Sequence, residues 1–274
     1  MNKLAKAGIA ALGGLGAYAL LLRPRQNHPG WEALSGVRYA HRGLHDMDLG
    51  VPENSMAAFR RAVEHGFGAE LDVHLMADGS LAVVHDSSLE RVCGRRVCIE
   101  DLTAAELADC TLMGTEETVP LLRDVLALFE GKTPLIIELK VERGNAVALT
   151  DAVMAALAGW NGVCCIESFH PGVLLRLRQK HPEVIRGQLS QNFLADTHTG
   201  MGPAADFIMT HLLTTFLTKP DFIAYHHGHR DNISLRLMKK AYGVHEAAWT
   251  VKDRAAMEAL DRDGAVSIFE GFIP

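Results

Sequence analysis

Positive charge, cysteine and long apolar runs are all scarce in this sequence, and each shortage removes a class of function. Lysine and arginine number 27 against 33 aspartates and glutamates, a formal net charge of −6. No basic field is left to attract nucleic acid. The five cysteines are odd in number, and Cys164 and Cys165 sit side by side in an apolar run, so they read as reduced core residues. Cys93 and Cys98 in "CGRRVC" are spaced to pair across a loop, but no second CxxC and no matching histidine pair accompanies them, which argues against zinc. No low-complexity linker splits the chain after residue 36. With nearly half its residues apolar, it has ample material for a folded core.

What apolar run there is lies at the N-terminus. Lys3 and Lys6 precede sixteen uncharged, mostly apolar residues, 7–22, and Arg23 and Arg25 follow. That is short of the ~20 residues that span a bilayer comfortably, yet within reach of ~17 if the flanking arginines snorkel. Ala17-Tyr18-Ala19 also meets a small-x-small cleavage rule, so a removed signal peptide competes with a retained anchor, and a helix packed on the following domain is a third reading. The flanking charges balance and give no orientation. Residues 1–30 are therefore set apart as a membrane-directed segment. The reduced cysteines favour membrane association through residues 7–22 with the rest cytoplasmic, export with a cleaved signal being the alternative.

From residue 36 to 274, β-like runs alternate with helical stretches. Strands are expected at 37–41, 69–73, 134–139, 163–169, 185–190, 221–226, 246–251 and 266–270, with periodic helical segments between several of them. Eight strands with interleaved helices predict an α/β fold, a (β/α)8 TIM barrel, whose functional groups gather at the C-terminal strand ends. The stretch 85–120 is too long for a loop and contains the helical "TAAELADC", so it is expected to be an insertion after the second strand. No helix follows the last strand. Residues 30–36 or the N-terminal apolar helix are expected to cover that gap.

The stretch "GAELDVHLMADGSLAVVHD" carries the chemistry. Residues two apart on a strand share a face, so Glu70 and Asp72 both point to the barrel axis. Glu138 in "IIELK" adds a third inward carboxylate, with Lys140 two residues on. Unpaired burial of such charges is costly. Three carboxylates without a thiolate suit Mg²⁺ or Ca²⁺, and ion pairing with Arg42 and Lys140 is the competing explanation. His74 continues the parity but is expected to lie exposed beyond the strand end. His41 ends the first strand, and His85 precedes Asp86, which can set its tautomer. Two imidazoles beside a metal can serve as general acid and base. His226, His227 and His229 are expected on the pocket rim. Ser168 and His170 have no acid partner that would make a triad.

"AHRG", "PENSMAAFRRAVEHG", "AELDVHLMADGSLAVVHDSSLERVCG", "LIIELK", "IESFHPGVLLRLRQKHP" and "AAWTV" resemble, in order, the motifs of the glycerophosphodiester phosphodiesterase family, from about residue 38 to 251. The resemblance implies a barrel of the phosphatidylinositol-phospholipase-C-like superfamily. It implies that His41 and His85 are the acid/base pair with His41 as base, that Arg42 binds phosphate, that Glu70, Asp72 and Glu138 bind the divalent cation, and that Lys140 adds positive charge near the phosphate. Glu53 of "PEN" would support Arg42 or the metal, or else its loop. Trp249 would line the pocket, with plain barrel packing the equal alternative. The implied reaction releases an alcohol and glycerol 3-phosphate; in similar enzymes the glycerol 2-hydroxyl attacks first and water opens a cyclic phosphate. Lysophospholipase D or phospholipase-type action on a membrane lipid is the alternative. Where the family commonly has Thr-Asp after the eighth strand, this chain has "IFEGFIP", so Glu270 matches the acidic position only approximately.

Overall fold

A computed structural model of the chain describes residues 13–195 and 198–274. Among the described residues there are nine strands: β1 (Tyr39–His41), β2 (Gly68–Leu75), β3 (Leu81–Val83), β4 (Leu135–Leu139), β5 (Cys164–Ser168), β6 (Arg186–Ser190), β7 (Phe222–His226), β8 (His245–Val251) and β9 (Val266–Phe269). All except β3 run parallel and close into a ring, because β1 pairs with both β2 and β9. The eight strands of the ring are the eight expected from the sequence. The strand that patterning missed, β3, is a three-residue antiparallel partner of the overhanging end of β2. Its "LAV" is too short to show a period.

Strand parity decides what faces inward. Ala69, Leu71 and Val73 of β2 pack outward against helices such as Met56–Glu64 and Leu122–Phe129, in one large apolar cluster with Phe59 and Phe129. The alternate residues Glu70 and Asp72 are thereby committed to the axis. The helices start where the sequence supplies caps: Ser55 Oγ accepts from the Ala58 amide, Asn232 from Ser234 and Leu235, and Asp253 from Ala256.

Trp31, Leu34, Tyr39 and Phe222 fill the barrel floor, and Gly187 is required there because a Cβ would fall 2.1 Å from the Phe222 ring. The segment 30–36 thus plugs the bottom of the barrel, while Phe67 and Phe272 flank Phe269 on the outside of the last strand. The N-terminal apolar segment covers a different place. From residue 13 to 21 it is helical, and Tyr18 and the fully buried Leu22 pack with Ile223, Leu235 and Met238, beside β7 and the helix Ile233–Tyr242. Tyr18 Oη lies 2.6 Å from Ser234 Oγ, and Arg25 is ion-paired to the buried Asp221 and donates to the Val184 carbonyl. Arg25 is therefore spent on the barrel and not available to snorkel. Leu15, Leu20 and Leu21 remain exposed. No helix among the described residues is long and apolar enough to cross a membrane, and residues 7–12 of the apolar run lie outside the described residues.

The insertion has its own small core of Val84, Leu89, Ile99, Leu107 and Cys110. It corrects one expectation. His74 is buried rather than exposed: its Nδ1 lies 2.6 Å from Glu100 Oε1 and its Nε2 3.2 Å from the His85 carbonyl, because the insertion folds back over the end of β2. The connection from β6 to β7 is likewise more elaborate than a single crossover helix, with short helices Pro203–Thr210 and Thr215–Thr218. The five cysteines are free, Cys93 and Cys98 included.

Candidate active site

The C-terminal mouth of the ring is charged where the floor is apolar. Glu70, Asp72 and Glu138 offer carboxylate oxygens that all lie within 4.8 Å of one another, and all three residues are buried. Two cations serve them. Lys140 Nζ is 3.0 Å from Asp72 Oδ1 and 3.0 Å from Glu138 Oε2, and Arg42 Nε is 3.5 Å from Asp72 Oδ2. Arg42 has a left-handed backbone, φ 54°, followed by Gly43 at φ 80° where a Cβ would strike Ala58. This turn aims the Arg42 amide at Glu70 Oε2, 3.2 Å away, and its guanidinium at Glu53 Oε1, 2.9 Å away.

His41 closes the ring side of the mouth. Its Nδ1 is 2.6 Å from Glu270 Oε2 and its Nε2 is 3.9 Å from Glu70 Oε2. Across the mouth, His85 Nδ1 is 2.6 Å from Asp86 Oδ1, as its position in the sequence suggested. Asp86 is ion-paired to Arg91, which also reaches Glu53 at 2.7 Å. Glu53 therefore links Arg42 to Arg91 and, through Asp86, to His85.

The electrostatics are those of crowded negative charge. Burial, then the nearby Asp72, Glu138 and Glu167 carboxylates, push Glu70 well above its ordinary value. Burial also opposes charge on Asp72, but Lys140, His85, Arg42 and the Asn54 amide overcome it and hold this group well below the usual carboxylate range. Glu138 is pushed up to about 7, burial outweighing Lys140. Burial lowers His85, although Asp72 works the other way. The hydrogen bond to His41 holds Glu270 at about 2. Among the described residues, Arg42 and Lys140 are the permanently charged cations that act on the inward carboxylates Glu70, Asp72, Glu138 and Glu167. An all-oxygen donor set with surplus negative charge fits a divalent hard cation.

Of the residues named from the sequence, His41, Arg42, Glu70, His85, Glu138, Lys140 and Trp249 line one cavity of 160 Å³, while Asp72 and Glu53 lie behind it on Lys140, Arg42 and Arg91. Trp249 Nε1 donates to the Ala224 carbonyl, and its ring meets Phe169 and His226 edge-on. His226 and His229 accept backbone amide protons at Nδ1, and no group of metal-binding side chains among the described residues includes the three rim histidines. Ser168 donates to the Leu139 carbonyl at the end of the neighbouring strand β4, and His170 Nδ1 accepts from the Gly172 amide as the N-cap of the helix Pro171–Lys180, so both have structural partners.

A family model described as the glycerophosphoryl diester phosphodiesterase family matches residues 41–273. The chain belongs to this family. Among its relatives, a glycerophosphodiester phosphodiesterase of Bacillus altitudinis is 38% identical over 111 residues, 38% of this chain and 44% of that one. Glycerophosphodiester phosphodiesterase 1 of Bos taurus is 27% identical over 243 residues, covering 77% and 70%. Lysophospholipase D GDPD1 of Rattus norvegicus is 36% identical over 115 residues, covering 37% and 35%. The first and last of these matches thus span less than half of the relative's own length. An Oleispira antarctica phosphodiesterase, solved with its product sn-glycerol-3-phosphate, shares the fold at TM-score 0.69 and 23% identity, over 87% of this chain and 94% of that one.

Three contributors escaped the sequence reading, and a fourth was named without its role. Asn54 donates to Asp72 Oδ2 at 2.9 Å and Arg91 bridges Asp86 and Glu53; both lie in the family motifs, but nothing local marks them as contacts. Glu270, recognised only as an approximate match, turns out to be the partner of His41. Glu167 is inward and register-paired with Glu138, which strand parity on "CCIES" would have revealed.

Proposed function

We propose that this family member is a divalent-cation-dependent phosphodiesterase that hydrolyses glycerophosphodiesters to an alcohol and glycerol 3-phosphate. The observation that carries this reading is the convergence of two carboxylate-paired imidazoles, two cations and a three-carboxylate cluster on one cavity at the barrel mouth. Arg42 and Lys140 lie against the non-bridging phosphate oxygens and offset the charge that develops on them. Glu270 and Asp86 each engage an Nδ1, which leaves Nε2 of His41 and His85 for proton transfer. His41 takes the proton from the attacking oxygen and His85 delivers one to the leaving alcohol. Glu70, Asp72 and Glu138 would hold the cation, Mg²⁺ or Ca²⁺, whose bound charge supplies Lewis-acid stabilisation.

A lysophospholipid is the second substrate reading, favoured by a groove of 460 Å³ that shares Glu138, Lys140 and Phe169 with the cavity and continues along Val141, Phe193 and Met209. An acyl chain would find apolar walls there. The exposed Leu15, Leu20 and Leu21 support association with a lipid surface through residues 7–22.

The test is release of glycerol 3-phosphate from glycerophosphocholine, and of choline with lysophosphatidic acid from lysophosphatidylcholine, by the full chain, with Mg²⁺, with Ca²⁺ and with chelator. Truncation at residue 30 would expose the pocket of Leu22 and strand Asp221 without Arg25, so the full chain is the proper reagent. Metal-dependent release from the first substrate is expected. Release from neither, by a folded protein, would sink the reading.

A further inference from the structure

Glu167 is the one inward carboxylate that the mechanism above leaves idle. It sits on β5 beside Glu138, is 1% exposed, and lines the cavity together with Phe169, Leu189 and Trp249. Its Oε2 is buried with no hydrogen-bond partner among the described residues. Leaving a buried carboxylate oxygen unmatched is costly, and such an atom in a folded protein calls for an explanation. Lys140, the nearest cation by electrostatic effect, is committed to Asp72 and Glu138.

A second cation does not answer the need. Glu167 joins no group of three metal-binding side chains among the described residues, whereas Mg²⁺ and Ca²⁺ take six or more oxygen ligands. A neutral donor does. Besides the charged groups already assigned, the cavity is lined by Glu167 and Thr250 together with the apolar Phe169, Leu189, Trp249 and Ile268, a mixture that complements a short carbon chain carrying a hydroxyl.

We infer that Glu167 is a specificity-determining residue that accepts a hydrogen bond from a free hydroxyl of the substrate's glycerol, with Phe169, Leu189 and Trp249 enclosing its carbons. This rests on the phosphodiesterase reading and deepens it: the site would select glycerol with an unesterified hydroxyl and disfavour both a fully acylated glycerol and a plain alkyl phosphate. A site built to hydrogen-bond a hydroxyl rejects the analogue lacking it far more strongly than an apolar pocket rejects a missing methylene.

The experiment compares binding of sn-glycerol 3-phosphate and n-propyl phosphate, which differ only in the two hydroxyls, to full-length protein by calorimetry with Mg²⁺ present. Wild type should prefer glycerol 3-phosphate by about tenfold or more, since a site built to bond a hydroxyl is left with an unpaired buried group when the hydroxyl is missing. E167L should bring that ratio to within about threefold of unity by weakening glycerol 3-phosphate alone, and E167Q, which keeps an acceptor oxygen, should retain most of the preference. Equal binding of the two ligands by wild type, or equal weakening of both in E167L with E167Q no better, would overturn the inference. Wild type that binds neither ligand and hydrolyses no glycerophosphodiester would overturn the parent reading and this one with it; hydrolysis with an unchanged ratio in E167L would overturn this one alone.

Discussion

His41 takes its carboxylate from Glu270, 229 residues further along the chain, whereas His85 takes Asp86, its immediate neighbour; both Nδ1–O distances are 2.6 Å. The shared distance conceals different surroundings. The His41 side chain is 14% exposed and its pair depends on β1 and β9 closing the ring. The His85 side chain is 34% exposed, and its partner is further tied to Arg91 on the insertion. One dyad is therefore a product of barrel closure, while the other is local and only steadied by tertiary contacts. The same imidazole–carboxylate unit can thus be reached by two routes, and they should fail differently.

The largest effect would come from removing what both dyads face. D72A, or chelation of wild type, should reduce turnover to background, and only the chelated enzyme should recover on adding Mg²⁺ or Ca²⁺; initial-rate assays decide this. Next are the imidazoles themselves. H41N and H85N should each lower kcat by about 10²–10⁴-fold, with circular dichroism unchanged; retained activity in either would remove that histidine from the chemistry. The partners separate the two routes. E270Q should cost more than D86N, roughly 10²-fold against roughly tenfold in kcat/KM if orientation carries a large part of the acid/base contribution, because Arg91 can still order the loop around His85. Equal losses would break the comparison.

The smallest effect concerns stability. Glu270 is depressed to about 2, so its stabilising contribution is complete above the ordinary carboxylate value and is lost as pH falls through about 2. E270Q should therefore show a shallower loss of stability than wild type between about pH 4.5 and pH 2, measured as urea midpoints. Parallel curves would show that the His41–Glu270 pair is not linked to folding.

Much of the mouth was legible beforehand because strand parity is a local property. Glu70 and Asp72 are two apart on one strand, and packing of Leu71 and Val73 outward leaves them no other face. Glu138 followed by the same rule, and the adjacency of His85 and Asp86 needed no fold at all. The misreading of His74 has the complementary cause. Its parity was read correctly, but whether a residue beyond a strand end is exposed depends on what folds back over it, and Glu100 arrives from 26 positions later. The N-terminal segment is similar: its apolar run was plain, yet Tyr18, Leu22 and Arg25 found partners among residues 184–238.

The sequence by itself determined the strand and helix alternation, the inward carboxylates and the motif order that marks the family, since these follow from periods of two and from short-range spacing. Only the tertiary structure decided that Glu270 meets His41, that Arg91 ties Glu53 to Asp86, and that Glu167 Oε2 lacks a partner among the described residues. Each of those depends on closing the ring and seating the insertion over it, where residues far apart in the chain meet with no local signal to announce the pairing.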